Sequence, residues 1–332
     1  MRRGFRARVT TIVAVTLATV ALAACGSNDG GSAVHVGGTP TPTTCSGVTP
    51  TGFRIVGYLP SWQGSPDDVD LARLTHVNYA FALPTAQGGL RPVDDLPKLR
   101  TLVTRAHQRG VGVLISIGGW NDGDDSAFTT LASGGAGRRA FAEAVAAFVA
   151  EQGLDGADID WEYPEPEESG SYAALVHELS MRLRPSGKLL TAAVTASSWG
   201  SGGIAPATFP DFDWLSIMAY DGGNGADHSP YSYAVSGLDY WAGRGLPREK
   251  TVLGVPFYSR PGWRSYAWLV QNYPDAPNRD EVAGEHYNGI ATMKKKACLA
   301  QERARGVMIW ELSQDTHDST SLLAAIFSAL NR

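Results

Sequence analysis

Leu154-Asp155-Gly156-Ala157-Asp158-Ile159-Asp160-Trp161-Glu162-Tyr163-Pro164 carries, from Asp158 onward, an acid at every second position of an apolar run. Successive side chains of a strand point to opposite faces, so Asp158, Asp160 and Glu162 share one face, stepping along it by roughly 6.6 Å. Ile159 and Trp161 point the other way, as a packing face requires. Three carboxylates on the inner face of a strand are costly to ionise together. Their repulsion should leave at least one of them protonated near neutrality. Pro164 cannot continue a ladder, so the strand is expected to run over Gly156–Glu162 and stop there. That places Glu162 at a strand's C-terminal end, where parallel barrels and open sheets keep their active sites. An acidic edge strand or a calcium-binding turn is the alternative. Calcium loops want Gly and polar spacers, whereas Ala157, Ile159 and Trp161 suit a buried strand.

Outward from this stretch, residues 51–332 alternate short apolar runs with helical patterns, the rhythm of a βα repeat. The other expected strands are Arg54–Tyr58, Leu74–Ala82, Gly112–Ile117, Leu189–Ala196, Trp214–Tyr220, Thr251–Phe257 and Gly306–Glu311. Leu96, Leu99, Leu102, Val103 and Ala106 recur at helical spacing. So do Phe141, Ala144, Val145, Phe148 and Val149, and again Tyr172, Leu175, Val176, Leu179 and Leu183. Gly110 and Gly153 read as helix stops. Ser197–Asp213, rich in Gly and Pro, reads as a loop or a single turn. Eight strands in this length fit an α/β fold, either a (β/α)8 barrel or a doubly wound open sheet.

The run Asp155-Gly156-x-Asp158-x-Asp160-Trp161-Glu162-Tyr163-Pro164 resembles the active-site motif of glycoside hydrolase family 18, the chitinase family. Ala157 departs from it, standing where the family usually has a larger aliphatic residue. The resemblance extends over 51–332 and implies the (β/α)8 TIM barrel. Ser116-Ile117-Gly118-Gly119-Trp120 is similar to the family's Ser-x-Gly-Gly motif. Its two glycines would leave room for a sugar ring, and Ser116 would bond to the acid row. Met218-Ala219-Tyr220-Asp221 matches Met-x-Tyr-Asp, and Trp310 matches the strand-eight Trp on which the cleaved sugar rests. Tyr58 and Phe81 would line the cleft. Tyr258-Ser259-Arg260 stands where the family has Tyr-Gly-Arg, so Tyr258 and Arg260 align as substrate contacts and Ser259 departs. About 48 residues separate Phe257 from Gly306. That is too few for the full insertion domain of many family members, and a single barrel with a shallow cleft is expected.

The implied roles are specific. Glu162 protonates the leaving oxygen and then serves as base toward water. Asp160 orients the substrate's N-acetyl group, whose oxygen is the nucleophile, and Asp158 shares a proton with Asp160. Tyr220 bonds the acetamide carbonyl. The expected reaction is retaining hydrolysis of β-1,4 bonds next to N-acetylglucosamine, most simply in chitin oligosaccharides. An N-glycan- or peptidoglycan-cleaving hydrolase of the same family, or a sugar-binding lectin on the same barrel, is the alternative. Lectin-like members tend to lose the terminal Glu of the row, and Glu162 is present.

Composition is that of a globular enzyme: 332 residues, 43% hydrophobic and 18% charged. The formal charge is −5 with no basic run, which argues against nucleic acid. Arg2, Arg3, Arg6 and Arg8 precede an apolar run from Val9 to Ala24, shorter than the roughly 20 residues of a spanning helix. The run ends Leu22-Ala23-Ala24-Cys25-Gly26, which resembles a bacterial lipoprotein signal. Residues 1–24 would be removed, and Cys25 would be lipidated and anchor the protein to the outer face of the cell membrane. A plain secretory peptide or an uncleaved anchor is the alternative. Residues 25–50 read as a Gly/Ser/Thr/Pro tether. In an exported protein Cys45 and Cys298 invite a disulfide; a free buried Cys298 is the other reading. The seven His show no ligand spacing, and no Gly-x-Ser-x-Gly elbow or phosphate loop occurs. No metal and no cofactor is expected, and the chain is read as a monomer.

Overall fold

The computed structural model describes residues 44–331; the expected signal segment, Cys25 and most of the tether lie outside the described residues. The strands are β1 (Arg54–Pro60), β2 (His76–Ala82), β3 (Gly112–Gly118), β4 (Gly156–Asp160), β5 (Leu189–Thr195), β6 (Trp214–Met218), β7 (Thr251–Pro256), β8 (Glu281–Val282), β9 (Glu285–His286) and β10 (Gly306–Trp310). All but β8 and β9 close into a parallel barrel in the order β1-β10-β7-β6-β5-β4-β3-β2, and β8 and β9 form a separate antiparallel hairpin. The helices are α1 (Leu96–His107), α2 (Ser126–Ser133), α3 (Gly135–Glu151), α4 (Ser169–Leu183), α5 (Tyr231–Gly243), α6 (Tyr266–Asn272), α7 (Ile290–Arg303) and α8 (Leu322–Ala329). Between β5 and β6 the chain makes only a 3₁₀ turn, Pro206–Asp211, in keeping with its Gly and Pro content.

Two cores follow from strand alternation. Outward residues such as Ile115, Ile117, Ala157, Ile159 and Trp161 pack with Val145, Leu175 and Val176 of the helices. Inward residues such as Val56, Tyr58, Ala193, Met218 and Met308 fill the barrel. The outer face of β4 is fixed by Trp161, whose ring stacks on Phe128 at 5.0 Å and 7° while its Nε1 donates to Asp125 at 2.8 Å.

The strands β1, β2, β3, β5, β6, β7 and β10 differ from the expected spans by one or two residues at an end. The strand expected to include Glu162 stops at Asp160, where the ladder to β3 closes with Gly118 opposite Asp160. The chain beyond is held by the side chain of Trp161 instead of by a neighbouring strand. The boundary expected at residue 51 also moves. Cys45 is buried, its N–H donates to Ala329 at 2.9 Å, and a disulfide joins it to Cys298 on α7 across 253 residues. The end of the expected tether is therefore part of the folded unit.

Candidate active site

Asp158 sits beneath the floor at the C-terminal end of the barrel, and parallel register explains its surroundings. Ser116 of β3 and Thr191 of β5 are its direct neighbours in the ladder. Both side chains share its face, so Ser116 Oγ donates to it at 2.8 Å and Thr191 Oγ1 at 2.5 Å. Tyr58 Oη of β1 adds a third bond at 2.7 Å. Burial lifts the Asp158 carboxyl above the usual range, and these three hydroxyls oppose the rise. Asp158 thus has both oxygens engaged by hydroxyl groups. It acts on Asp160 as a neighbouring charge.

Asp160 forms the floor. Burial, then the charges of Glu162 and Asp158, push its carboxyl well above the usual range, and its Oδ1 has no hydrogen-bond partner. Glu162, on the chain just past β4, lines the wall. Burial, opposed by a hydrogen bond with Tyr163 and aided by the charge of Asp221, brings its carboxyl up to about 7, poised to give a proton at neutral pH. The row is thus graded: one acid under the floor, one in it and one above it.

The wall beyond β6 holds Tyr220 and Asp221. Tyr220 Oη has the Met308 thioether at 4.0 Å as its partner, a weak acceptor that a better one would displace. Asp221 takes a left-handed backbone (φ 56), which Asp tolerates. Its carboxylate accepts from Tyr258 Oη at 2.6 Å and faces Arg260 at 3.3 Å and His228 at 3.2 Å. Burial works against this carboxylate, but the bonds from His228 and Tyr258 prevail and hold it below the usual range.

These groups line a cleft of about 1100 Å³. Tyr58, Phe81, Gly118, Trp120, Met218 and Trp310 all reach it, as do Tyr258 and Arg260. Trp310 meets Tyr58 edge-on at 5.4 Å and stacks with Phe81 at 5.7 Å. Ser116 lies under the floor with Asp158. The space attributed to the glycines serves the protein itself. A Cβ on Gly119 would come within 2.6 Å of the Phe81 ring, and one on Gly118 within 2.2 Å of the Asp160 carbonyl. The missing side chains seat an aromatic wall and a strand neighbour, and Gly119 stands behind Phe81.

Sequence reasoning missed Trp62, Trp199, Trp263, Tyr163 and Tyr233, which also line the cleft. Trp62, Trp199 and Trp263 are largely exposed. A tryptophan in a Gly-, Ser- or Pro-rich loop, as in Ser198-Trp199-Gly200 and Gly262-Trp263-Arg264, has no strand or helix period to bury it, and that was the available signal.

A barrel with stacked acids at its C-terminal mouth and an aromatic-lined cleft defines a carbohydrate-active class of site. The sequence profile of Glycosyl hydrolases family 18 matches residues 54–315, and the chain belongs to that family. It is similar to "Probable chitinase 10" of Drosophila melanogaster, 30% identical over 264 residues that make up 67% of this chain and 12% of the relative. Among solved structures it resembles the GH18 chitinase ChiB from the chitin utilization locus of Flavobacterium johnsoniae (30% identity, TM-score 0.75, 84% of this chain and 94% of that one). It also resembles a GH18 chitinase variant from Cycas revoluta in complex with (GlcNAc)4 (25% identity, TM-score 0.74, 83% and 99%). The chain spans from about an eighth to about seven-tenths of the length of the curated relatives it matches, and half or less of several of them, Probable chitinase 10 included.

Proposed function

We propose that this chain is a chitinase-like glycoside hydrolase that cleaves β-1,4 bonds next to N-acetylglucosamine, in chitin or its oligosaccharides, with retention of configuration. The observation that carries the reading is the graded acid row. Glu162 is poised near neutrality on the wall, above an Asp160 whose Oδ1 is unpartnered in the floor. Glu162 gives its proton to the glycosidic oxygen, and the substrate's acetamido oxygen attacks the anomeric carbon as the leaving group departs. Asp160 accepts from the acetamido N–H and stabilises the positive charge that develops on the ring formed. Tyr220 donates to the acetamido oxygen, exchanging its weak sulfur contact for a polar one. Glu162, now a carboxylate, takes a proton from water, which attacks the anomeric carbon from the face the leaving group vacated, breaks the bond to the acetamido oxygen and so retains the configuration. Trp310 offers an aromatic face to the sugar. The bound (GlcNAc)4 of the Cycas relative supports this class of glycan.

The deciding experiment incubates the protein and its Glu162→Gln variant with chitin oligosaccharides, an N-glycan and peptidoglycan fragments, with products read by mass spectrometry. Cleavage of chitin oligomers by the parent alone is expected. Cleavage confined to another glycan would keep the mechanism and replace the substrate. Tight binding with no cleavage would replace the enzyme by a lectin.

The N-terminal residues support a second part of the proposal. The protein is exported as a monomer and held at the bacterial membrane through a lipid on Cys25, with the catalytic barrel on the outer side. Cys25→Ala should release it from the membrane fraction, and an unchanged distribution would refute the anchor.

A further inference from the structure

The loop after β7 carries Trp263 at φ 55, the left-handed region that a bulky side chain rarely adopts. The indole is 59% exposed, yet it is not free to move. It lies parallel to the Tyr258 ring at 5.4 Å and 4°, and the Arg260 guanidinium sits 3.7 Å from its centroid. The residue lines the cleft.

A non-glycine residue in this conformation persists where its surroundings over-determine it. Glu285, on the β8–β9 hairpin, supplies that constraint. Its Oε2 accepts from the Ser259 hydroxyl at 2.6 Å and from the Gly262 N–H at 3.0 Å, gripping the loop on both sides of the turn. The Ser259 hydroxyl in turn accepts from the Arg264 N–H at 3.2 Å, just past Trp263. Arg260 and His286 exchange backbone bonds at 3.0 and 2.8 Å, fixing the hairpin to the loop. A Cβ on Gly262 would come within 2.0 Å of Glu285 Oε1, so a side chain there would displace this carboxylate. Ser259, the departure from the family pattern, is therefore one jaw of this clamp.

We propose that Glu285, working through Ser259 and Gly262, is a positioning residue that holds Trp263 as a fixed stacking face for one sugar unit of the bound chain. The short hairpin thereby supplies a wall to the cleft. The inference rests on the chitin-oligosaccharide reading above.

The test measures chitohexaose affinity by calorimetry in a Glu162→Gln background, where substrate is not consumed. Trp263→Ala should weaken binding about tenfold, the loss of a partly buried aromatic contact. Glu285→Ala should weaken it by a similar factor. Glu285→Gln keeps a carbonyl oxygen for both donors and should restore the parent affinity. The double variant Trp263→Ala/Glu285→Ala should bind no more weakly than Trp263→Ala alone, because the second residue acts through the first. An unchanged Glu285→Ala, or additive losses in the double variant, would overturn the assignment while leaving the glycan reading intact. Absence of chitohexaose binding by the parent would instead overturn the glycan reading, and this one with it.

Discussion

The floor of the cleft and the middle of α7 each bury an ionisable side chain, and the surroundings differ in one respect. Lys296 is fully buried, and its Nζ donates to the Ser229 carbonyl at 2.7 Å, the Ser229 hydroxyl at 2.7 Å and Asn288 Oδ1 at 2.6 Å. Every N–H of the ammonium has an acceptor from the protein. Asp160 is also buried, but its Oδ1 has no partner and its neighbours are the like charges of Glu162 and Asp158. Leaving a buried polar atom unpaired costs about 1–3 kcal/mol. The saturated cluster holds loops together; the unsaturated one keeps an acceptor open for a ligand.

Breaking the unsaturated cluster should cost activity first. Glu162→Gln removes the transferable proton and should lower kcat by about 10²–10⁴-fold with the fold intact, as steady-state rates on chitin oligomers would show. Asp160→Asn should lower kcat by roughly 10²-fold or more, since it removes charge stabilisation needed only as the acetamido group attacks. A near-normal rate in either variant would refute the role given to that acid.

Breaking the saturated cluster should cost stability. Lys296→Met strands the acceptors of Ser229 and Asn288 and should destabilise by about 1–3 kcal/mol, seen as a Tm several degrees lower. Unchanged stability would show that this cluster is not the anchor described here.

The pH dependence of the two clusters should have opposite sign. Glu162 is raised to about 7 in the folded protein from an ordinary 4.5, so the folded state binds the proton more tightly. Its contribution to stability is present below about 4.5 and lost as pH rises toward about 7. Lys296 is lowered by burial to about 7 from 10.5, so the unfolded state binds the proton more tightly. Its contribution is present above 10.5 and lost as pH falls toward about 7. Denaturant melts of Glu162→Gln and Lys296→Met against the parent across both windows would read these trends. Activity should follow the first one: kcat/KM should fall as pH rises through about 7, where Glu162 loses its proton.

The smallest expected effect on activity lies far along the chain. Breaking the Cys45–Cys298 bridge with Cys298→Ser releases a closure of 253 residues. It should cost roughly 2–5 kcal/mol of stability with kcat unchanged.

Much of this was legible in the sequence because β4 has an unambiguous period. Asp158 and Asp160 alternate with Ile159 and Trp161, and no helix buries that pattern on one face. Its C-terminal limit was less legible, since Glu162 continues the alternation by residue type while the ladder has already closed at Asp160. Helix α8 (Leu-Leu-Ala-Ala-Ile-Phe-Ser-Ala) went unread because a uniformly apolar run has no period to detect. In α5, Gly237 and several aromatics diluted the pattern. The hairpin β8–β9 is two residues a side, too short for any alternation to register.

By itself the sequence determined the acid row, the βα rhythm and, through resemblance, the family, because these rest on the order of residues along single elements. Tertiary structure alone decided which hydroxyls reach Asp158, why Gly119 is a glycine, that Cys45 meets Cys298 and how Trp263 is held. Each of these depends on atoms far apart in the chain, and their meeting is set by strand register and loop packing.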